Sequence, residues 1–289
     1  MISLHELKKR TYLLALVPFL ALILLYELYP LLMVLWRSFQ PTGETGFTLA
    51  QYQTIFTKKL YQQAIVNSVI ISTGSALVGI LVAFFGARAA YATGGLPKRL
   101  FLSVLSMTSN FAGVPLAFAY IILLGSTGVM VTIGKEMNLA ALAEFDLYTV
   151  SGLLLIYIYF QIPLAILLLV PAFDVIRKEW VESVSLLGGS TGYFWLKVGI
   201  PVLMPSLLGT FGVLFANAIA AYATAYALLQ NNFSLLPIRI EEQFVGDIVQ
   251  KPELGSALAV VMMLLMVLSI LINNAMLKRA GGRPADEQE

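Results

Sequence analysis

The sequence predicts an all-α membrane protein with six transmembrane helices, and composition, hydropathy pattern and charge distribution all support this. Of the 289 residues, 59% are hydrophobic and only 12% are charged. Soluble domains average about 45–50% apolar and about 25% charged residues. So few polar groups cannot cover a water-facing surface, and the natural solvent for this chain is therefore a lipid bilayer.

Six apolar stretches have the length of about 20 residues that a helix needs to cross the hydrocarbon core. They are Tyr12–Trp36, Ile65–Ala87, Phe101–Leu124, Leu147–Val170, Val202–Leu229 and Ser256–Leu277. The third contains Ser106–Asn110 and Gly113–Pro115, which predict a kinked helix whose neighbours satisfy the freed backbone groups. The first stretch is longer than the core of a signal peptide and predicts an uncleaved span.

The distribution of Lys and Arg orients these helices, because cytoplasmic loops carry an excess of both residues. Two thirds of the 18 basic residues fall on one side: Lys8, Lys9, Arg10, Arg88, Lys98, Arg99, Arg177, Lys178, Lys197, Lys278, Arg279 and Arg283. The pattern predicts a cytoplasmic N-terminus at 1–11, a transmembrane domain over 12–277 and a cytoplasmic tail at 278–289. The loops after the second and fourth helices are also predicted to be cytoplasmic.

The cytoplasmic segment 171–201, between the fourth and fifth stretches, is too long for a simple turn. Apolar residues at helical spacing between Val175 and Leu187 predict one amphipathic helix. Tyr193–Val198 follows a Ser/Thr cap candidate and predicts a second, with Gly188 forming a tight turn between the two. Such a pair either projects toward another protein or lies passively on the membrane surface.

A motif inside this segment favours the first alternative. The chain reads, in order, Glu182-Ser183-Val184-x3-Gly188-x9-Val198-x-Ile200-Pro201. This resembles the EAA signature of permease subunits of type I ATP-binding-cassette (ABC) importers, usually written Glu-Ala-Ala-x3-Gly-x9-Ile-x-Leu-Pro. The spacing agrees at every step, and the four replacements keep residues small or apolar. The position of the motif agrees too, and the resemblance covers roughly residues 60–280.

The resemblance implies the type I importer permease fold, with a coupling helix that docks on a separate ATPase. The residues expected to couple are Glu182, Ser183, Val184, Leu187, Gly188, Phe194 and Pro201. The expected partners are an ATP-binding cassette ATPase dimer, a second permease subunit that is generally a different chain, and an extracytoplasmic substrate-binding protein. The expected setting is the lipid of the bacterial cytoplasmic (inner) membrane, and the implied mechanism is alternating access.

The chain lacks the residues that ATP hydrolysis or other catalysis needs. No GxxxxGK[ST] loop occurs, and the nearest sequence, Gly128–Glu136, has the wrong spacing and an acid in place of the magnesium-binding hydroxyl. His5 is the only histidine, cysteine is absent, and the net charge of +2 does not suggest nucleic acid. We therefore expect no catalytic residue, metal or cofactor in this chain, with ATP and Mg²⁺ bound by the partner ATPase.

Two other classes of membrane protein fit the sequence less well. A proton- or sodium-coupled secondary transporter typically needs buried carboxylates at mid-membrane, and the predicted spans contain only Glu27. Glu27 either neutralises a cationic substrate or hydrogen-bonds in a helix contact near the outer interface, and the second is favoured. A membrane-embedded enzyme is disfavoured because histidine, cysteine and acidic clusters are missing.

Polar side chains inside the spans are candidates for a substrate pathway, because burying them in lipid costs free energy. The candidates are Asn110, Gln161, Asn217, Tyr222 and Tyr226. The third and fifth spans resemble the pore-lining helices of the family. The alternative for each residue is a structural hydrogen bond between neighbouring helices.

Three sequence segments give information on the substrate. Ser109–Ala119, Ala221–Ala227 and Leu236–Ile240 look similar to the polyamine, opine and phosphonate group of these permeases. They predict a polyamine-like substrate or another small organic ion. Iron(III), phosphonate, and sulfate or molybdate are the alternatives.

Overall fold

The computed structural model describes residues 16–44, 46–245 and 250–279. Every regular element within these residues is a helix. The predicted N-terminus 1–11, the first residues of the first span and the tail from 280 onward lie outside the described residues.

Among the described residues, six helical segments are long and apolar enough to cross a membrane, which confirms the predicted number. They are Leu16–Arg37, Lys59–Ala92, Val114–Glu136, Val150–Phe173, Thr191–Ile219 and Pro252–Lys278. In chain order the helices are α1 (Leu16–Arg37), α2 (Ala50–Thr57), α3 (Lys59–Ala92), α4 (Gly95–Ser109), α5 (Val114–Leu124), α6 (Val129–Glu136), α7 (Ala140–Ala143), α8 (Val150–Phe173), α9 (Lys178–Leu186), α10 (Thr191–Ile219), α11 (Tyr222–Leu229), α12 (Leu236–Glu241) and α13 (Pro252–Arg279).

The prediction of one kinked helix over Phe101–Leu124 is wrong. The chain forms two helices instead, with α4 ending at Ser109 and α5 beginning at Val114. Gly113 lies between them with φ at +74°, a backbone conformation that a side chain disfavours. Pro115 follows in the first turn of α5, where its missing N–H costs nothing. These two residues turn the expected kink into a break.

The predicted fifth span is also divided, and it begins earlier than expected. The predicted helix Val202–Leu229 consists of α10 and α11, separated at Ala220 and Ala221. At its other end, Tyr193–Val198 is not a separate short helix but the start of α10. A π-helical turn at Trp195–Gly199 carries α10 past Pro201, in keeping with the association of π-bulges with irregularities in the helical hydrogen-bond ladder.

The chain forms two compact units, of which the first comprises residues 1–62 and 239–261. None of the residues of α1 is buried, and Leu24–Leu28 forms a π-helical turn within it. After α1, the Tyr52 hydroxyl donates a 2.8 Å hydrogen bond to Ser38 Oγ. Farther along the chain, Arg239 forms a 2.6 Å ion pair with Glu242.

The second unit, residues 63–238 and 262–289, contains two hydrophobic clusters that share helix α8. One cluster gathers the predicted cytoplasmic ends of α3, α8 and α10 around Phe173 and Phe194. The other packs Tyr157 and Phe160 of α8 against α11 and the end of α10. Of the six apolar segments α8 has the largest buried share, 56%. A helix that is apolar on all sides packs as a central element.

Candidate functional site

The two helix breaks lie side by side and line one cavity. Its volume is about 590 Å³. The lining residues come from both breaks and from α8: Ser109, Asn110, Ala112, Gly113, Phe160, Leu164, Asn217, Ala220, Ala221, Tyr222, Ala223 and Thr224. Irregular backbone is tolerated at membrane depth where it is buried in protein or where it lines a water-filled cavity. The cavity therefore accounts for both breaks.

The cavity lies at the middle of the predicted membrane. Helix α8 has 24 residues and a length of about 36 Å at 1.5 Å per residue. Phe160 and Leu164, its two contributions to the lining, flank its central turn. The cavity therefore lies beside the middle of α8.

Thr224 joins the two breaks through hydrogen bonds. Its Oγ1 accepts a 3.0 Å hydrogen bond from the Gly113 N–H and donates a 3.3 Å hydrogen bond to the Gly113 carbonyl. Thr224 is 2% exposed, so water does not replace these bonds readily. One buried hydroxyl thus bonds both backbone groups of the residue that separates α4 from α5, and the Gly113 carbonyl also accepts a 3.2 Å hydrogen bond from the Ala117 N–H.

Tyr157 supports the second break. The Tyr157 hydroxyl donates a 2.6 Å hydrogen bond to the carbonyl of Ala221, which lies between α10 and α11. Tyr157 is itself 2% exposed. Backbone groups that leave helical pairing must find other partners when buried, and Tyr157 is one of them.

An amide pair lies at the wall of the cavity. Gln161 of α8 is fully buried and donates a 2.7 Å hydrogen bond from Nε2 to the carbonyl of Leu214. Its Oε1 accepts a 3.2 Å hydrogen bond from Asn217 Nδ2. Gly79 allows α3 to approach here, since a Cβ on it would lie 3.1 Å from the Gln161 Cβ. Gln161 therefore fixes the orientation of Asn217 without lining the cavity itself.

The five polar residues predicted for the pathway are accordingly not equivalent. Asn110, Asn217 and Tyr222 line the cavity, whereas Gln161 lies behind Asn217. Tyr226 is outside the lining but stacks on Tyr222, with ring centroids 5.2 Å apart. Their role in transport stays a prediction, although the fold does bring them together.

Sequence reasoning missed several lining residues. Phe160 and Leu164 are apolar and indistinguishable in sequence from other α8 residues, so no local signal marks them. Ser109 had a signal, because it adjoins the interruption before Gly113. Glu27, the carboxylate singled out in the sequence, lies exposed on α1 near the centre of that helix.

The predicted cytoplasmic coupling segment contains a projecting turn. Helix α9 ends at Leu186, and Gly188 follows with φ at +79°. Ser190 then caps α10, its side chain accepting a 3.2 Å hydrogen bond from the Tyr193 N–H. Leu186 and Leu187 are each 88% exposed at the tip. Apolar side chains this bare commonly mark a surface that another protein covers.

The seven predicted coupling residues divide into two groups. Glu182, Ser183, Leu187, Gly188 and Pro201 are exposed, so a partner has access to them. Val184 is partly buried and Phe194 is 1% exposed, both within the hydrophobic cluster of the second unit. Phe194 was expected to anchor a partner. It instead anchors the segment to its own chain.

Comparisons with known proteins agree with this architecture. No protein-family model matches the chain. It is 29% identical over 226 residues to the thiamine transport system permease protein ThiP of Brucella abortus, covering 75% of this chain and 38% of that protein. It is 27% identical over 194 residues to the trehalose transport system permease protein SugB of Mycobacterium tuberculosis, covering 63% of this chain and 64% of that protein. The chain therefore spans less than half of the thiamine permease.

A solved structure extends the similarity to the whole fold. A chain of a bacterial ABC transporter that imports the acidic polysaccharide alginate superposes with a TM-score of 0.73 at 17% identity, covering 96% of this chain and 98% of that one. The present chain has the fold of a type I ABC importer permease. The resemblance drawn from the coupling motif is thereby confirmed. The six apolar segments and the relatives, which are named as transport system permeases, indicate a multi-pass protein of the bacterial inner membrane.

The Thr224 hydrogen bonds generate a stability prediction. Thr224→Val keeps the shape of the side chain but removes the partner of the partly buried Gly113 N–H, at a cost of about 1–3 kcal/mol. The Gly113 carbonyl keeps its 3.2 Å hydrogen bond from the Ala117 N–H. We expect the thermal unfolding midpoint of the purified permease in detergent to fall by on the order of 5 °C.

Thr224→Ser is the matched control, because it keeps the hydroxyl, and its midpoint should stay near that of the wild type. A Thr224→Val permease as stable as the wild type would show that the bonds to Gly113 do not hold the breaks together.

Proposed function

We propose that this permease forms the membrane pathway of an ATP-driven bacterial importer, in which it works with a second permease, a separate ATPase dimer and an extracytoplasmic binding protein. The observation that carries the proposal is the mid-membrane cavity between two broken helices. A permease chain of this fold needs a route for solute, and its ATP hydrolysis is assigned to the partner subunit. ATP and Mg²⁺ accordingly bind the ATPase.

The cavity supports the pathway half of this proposal. Discontinuous helices at the bilayer midplane are a recurrent way to build transport sites, because their free backbone groups and helix ends face the substrate. The lining combines amide, hydroxyl and aromatic groups with small residues. A volume of about 590 Å³ suits a small solute, since ligand sites typically measure about 300–1,000 Å³.

The projecting turn supports the coupling half. Leu186 and Leu187 are nearly bare, whereas Phe194 and Val184 fix the same segment to the permease core. A rigid base with an apolar tip is the form needed to enter a cleft on another protein. Glu182 lies exposed on α9, where it is accessible to a cation on the ATPase surface. The lipid surface is a weaker candidate for the partner of this tip, because Glu182 would face anionic headgroups there.

The substrate proposed is a small organic cation of the polyamine-like class. Asn110 Nδ2 donates to the Ser106 carbonyl at 2.8 Å, and Asn217 Nδ2 donates to Gln161 at 3.2 Å. Both residues line the cavity, and each has an amide oxygen that can accept a hydrogen bond from a cationic ammonium group. The Tyr222 ring, which also lines the cavity and stacks on Tyr226, adds an aromatic group of the kind that attracts organic cations.

The relatives are compatible with this class but do not decide it. The name of the Brucella abortus relative specifies thiamine, an organic cation, whereas that of the Mycobacterium tuberculosis relative specifies trehalose, a neutral sugar. The superposed structure belongs to an importer of alginate, a polyanion. The described lining residues carry no cationic side chain that would pair with phosphonate, sulfate or molybdate.

Docking of the turn on an ATPase is tested with Leu186→Asp/Leu187→Asp in the full-length tagged permease. Loss of an interface anchor costs about 2 kcal/mol, so we expect the ATPase that co-purifies with the wild type to be recovered roughly thirtyfold less. Leu139→Asp is the control, since Leu139 is also exposed but lies on the predicted outer side. Unchanged recovery of the ATPase with the double variant would refute docking through this turn.

The substrate class is tested with the reconstituted importer and its binding protein. Spermidine, thiamine, trehalose and methylphosphonate serve as probes of ATP hydrolysis stimulated by the binding protein. We expect stimulation by an organic cation, lost in Asn110→Leu/Asn217→Leu, because leucine removes both acceptor oxygens. Stimulation by methylphosphonate or trehalose, with neither cation active, would contradict the assignment.

A further inference from the structure

Trp195 lies at the centre of an aromatic cluster near the projecting turn at residues 186–190, which we call the coupling turn. Its ring centroid is 5.6 Å from that of Phe84 on α3, 5.8 Å from that of Phe173 on α8 and 5.5 Å from that of Phe194, its neighbour on α10. The rings meet edge-on or tilted, the arrangements that aromatic pairs prefer. The indole of α10 thus contacts two other helices, α3 and α8, five residues along α10 from its cap at Ser190.

The position of the indole is narrowly determined. Trp195 begins the π-helical turn of α10, and a Cβ on Gly199 would lie only 2.5 Å from its ring. The absence of a side chain at Gly199 therefore lets the ring lie against the backbone of its own helix. From α3, the Arg88 guanidinium lies over the ring, with Cζ 4.6 Å from the centroid. This is within the range of a cation–π interaction.

The same cluster connects the coupling turn to the cavity. Phe173 is the last residue of α8, the helix whose Phe160 and Leu164 line the cavity. Leu164 and Phe173 are separated by about 14 Å along one continuous helix. The Tyr91 hydroxyl of α3 also donates a 2.9 Å hydrogen bond to the carbonyl of Ile176, just after α8. Packed side chains would therefore transmit a displacement of the turn to α3 and α8.

We propose that Arg88 is a positioning residue for coupling, which holds Trp195 so that α10, α3 and α8 move with the coupling turn. Arg88 touches neither ATP nor substrate in this assignment. It acts through the indole, and its removal separates ATP hydrolysis from transport. The inference rests on the proposed function, because it presupposes that an ATPase docks on the turn.

The positive charge of Arg88 serves the contact with the Trp195 ring as well as the orientation of the protein in the membrane. An arginine at a cytoplasmic helix end satisfies the positive-inside pattern, but any exposed position on the helix end would do so. Arg88 is partly buried and lies over an aromatic face. Arg99 of α4 has the same predicted side and the same charge, yet it is exposed. The pair of arginines therefore separates the effect of charge from that of the ring contact.

The test uses the complete importer in proteoliposomes and compares Arg88→Met, Arg88→Lys and Arg99→Met with the wild type. Four quantities are measured with spermidine as the transported probe: ATPase recovery with the permease, basal ATP hydrolysis, hydrolysis stimulated by the spermidine-loaded binding protein, and spermidine transported per ATP. We expect Arg88→Met to assemble normally and to transport about tenfold less substrate per ATP. For Arg88→Lys, the amount transported per ATP should lie between those of Arg88→Met and the wild type, about threefold below the wild type, since an ammonium still attracts the ring. Arg99→Met should match the wild type.

An Arg88→Met importer that transports as much substrate per ATP as the wild type would overturn the inference. If Arg88→Met does not assemble, Arg88→Lys decides: reduced transport per ATP supports a coupling role, and a wild-type ratio contradicts it. Failure of the proposed function is recognised separately, because the wild-type permease itself would then recover no ATPase. The two failures are therefore distinguishable.

Discussion

The structure depends on the need of every backbone N–H and carbonyl to find a partner inside a membrane. The chain is broken between α4 and α5 and between α10 and α11, beside the middle of α8, and either break alone would leave backbone polar groups without partners. The breaks are tolerated because they lie together, share a cavity and satisfy each other. Thr224 from one break bonds both backbone groups of Gly113 in the other. The cavity is thus a consequence of the same constraint that elsewhere enforces uninterrupted helices.

Helix α8 connects this cavity to the predicted cytoplasmic side. It is the most buried of the six apolar segments, and it carries Phe160 and Leu164 at the cavity and Phe173 in the aromatic cluster with Phe194 and Trp195. The coupling turn is packed against this cluster through Phe194 and exposed at Leu186 and Leu187. In the proposed importer, a displacement of the turn would therefore act on a helix that extends to the cavity.

The membrane helices and the coupling turn are predictable from the sequence, because each depends on residues that are close together in the chain. Long apolar stretches specify the membrane helices, and Gly188 with its flanking residues specifies the turn. The breaks were harder to foresee. Gly113 and Pro115 signal an irregularity, but whether it becomes a kink or a break depends on Thr224, which is 111 residues away. Ala220 and Ala221 give no signal at all, since alanine is the best helix former.

Burial is the other quantity that local patterns do not contain. Phe194 and Leu187 are both apolar residues of the coupling motif, yet one packs inside and the other projects. The difference comes from α10, which continues through the motif and turns Phe194 toward the Phe173 cluster. Likewise, Phe160 and Leu164 became cavity residues only through the partners that α8 acquires in the folded chain.

The most direct test of alternating access at this cavity is the labelling of Asn217→Cys from each side of the membrane. The natural chain has no cysteine, so an impermeant thiol reagent reports on this position alone. In the proposed importer, alternating access predicts labelling of Asn217→Cys from the cytoplasmic side without nucleotide and from the outer side with a non-hydrolysable ATP analogue. Leu139→Cys should label from the outer side in both states. Labelling of Asn217→Cys from one side only, whatever the nucleotide, would contradict alternating access at this cavity.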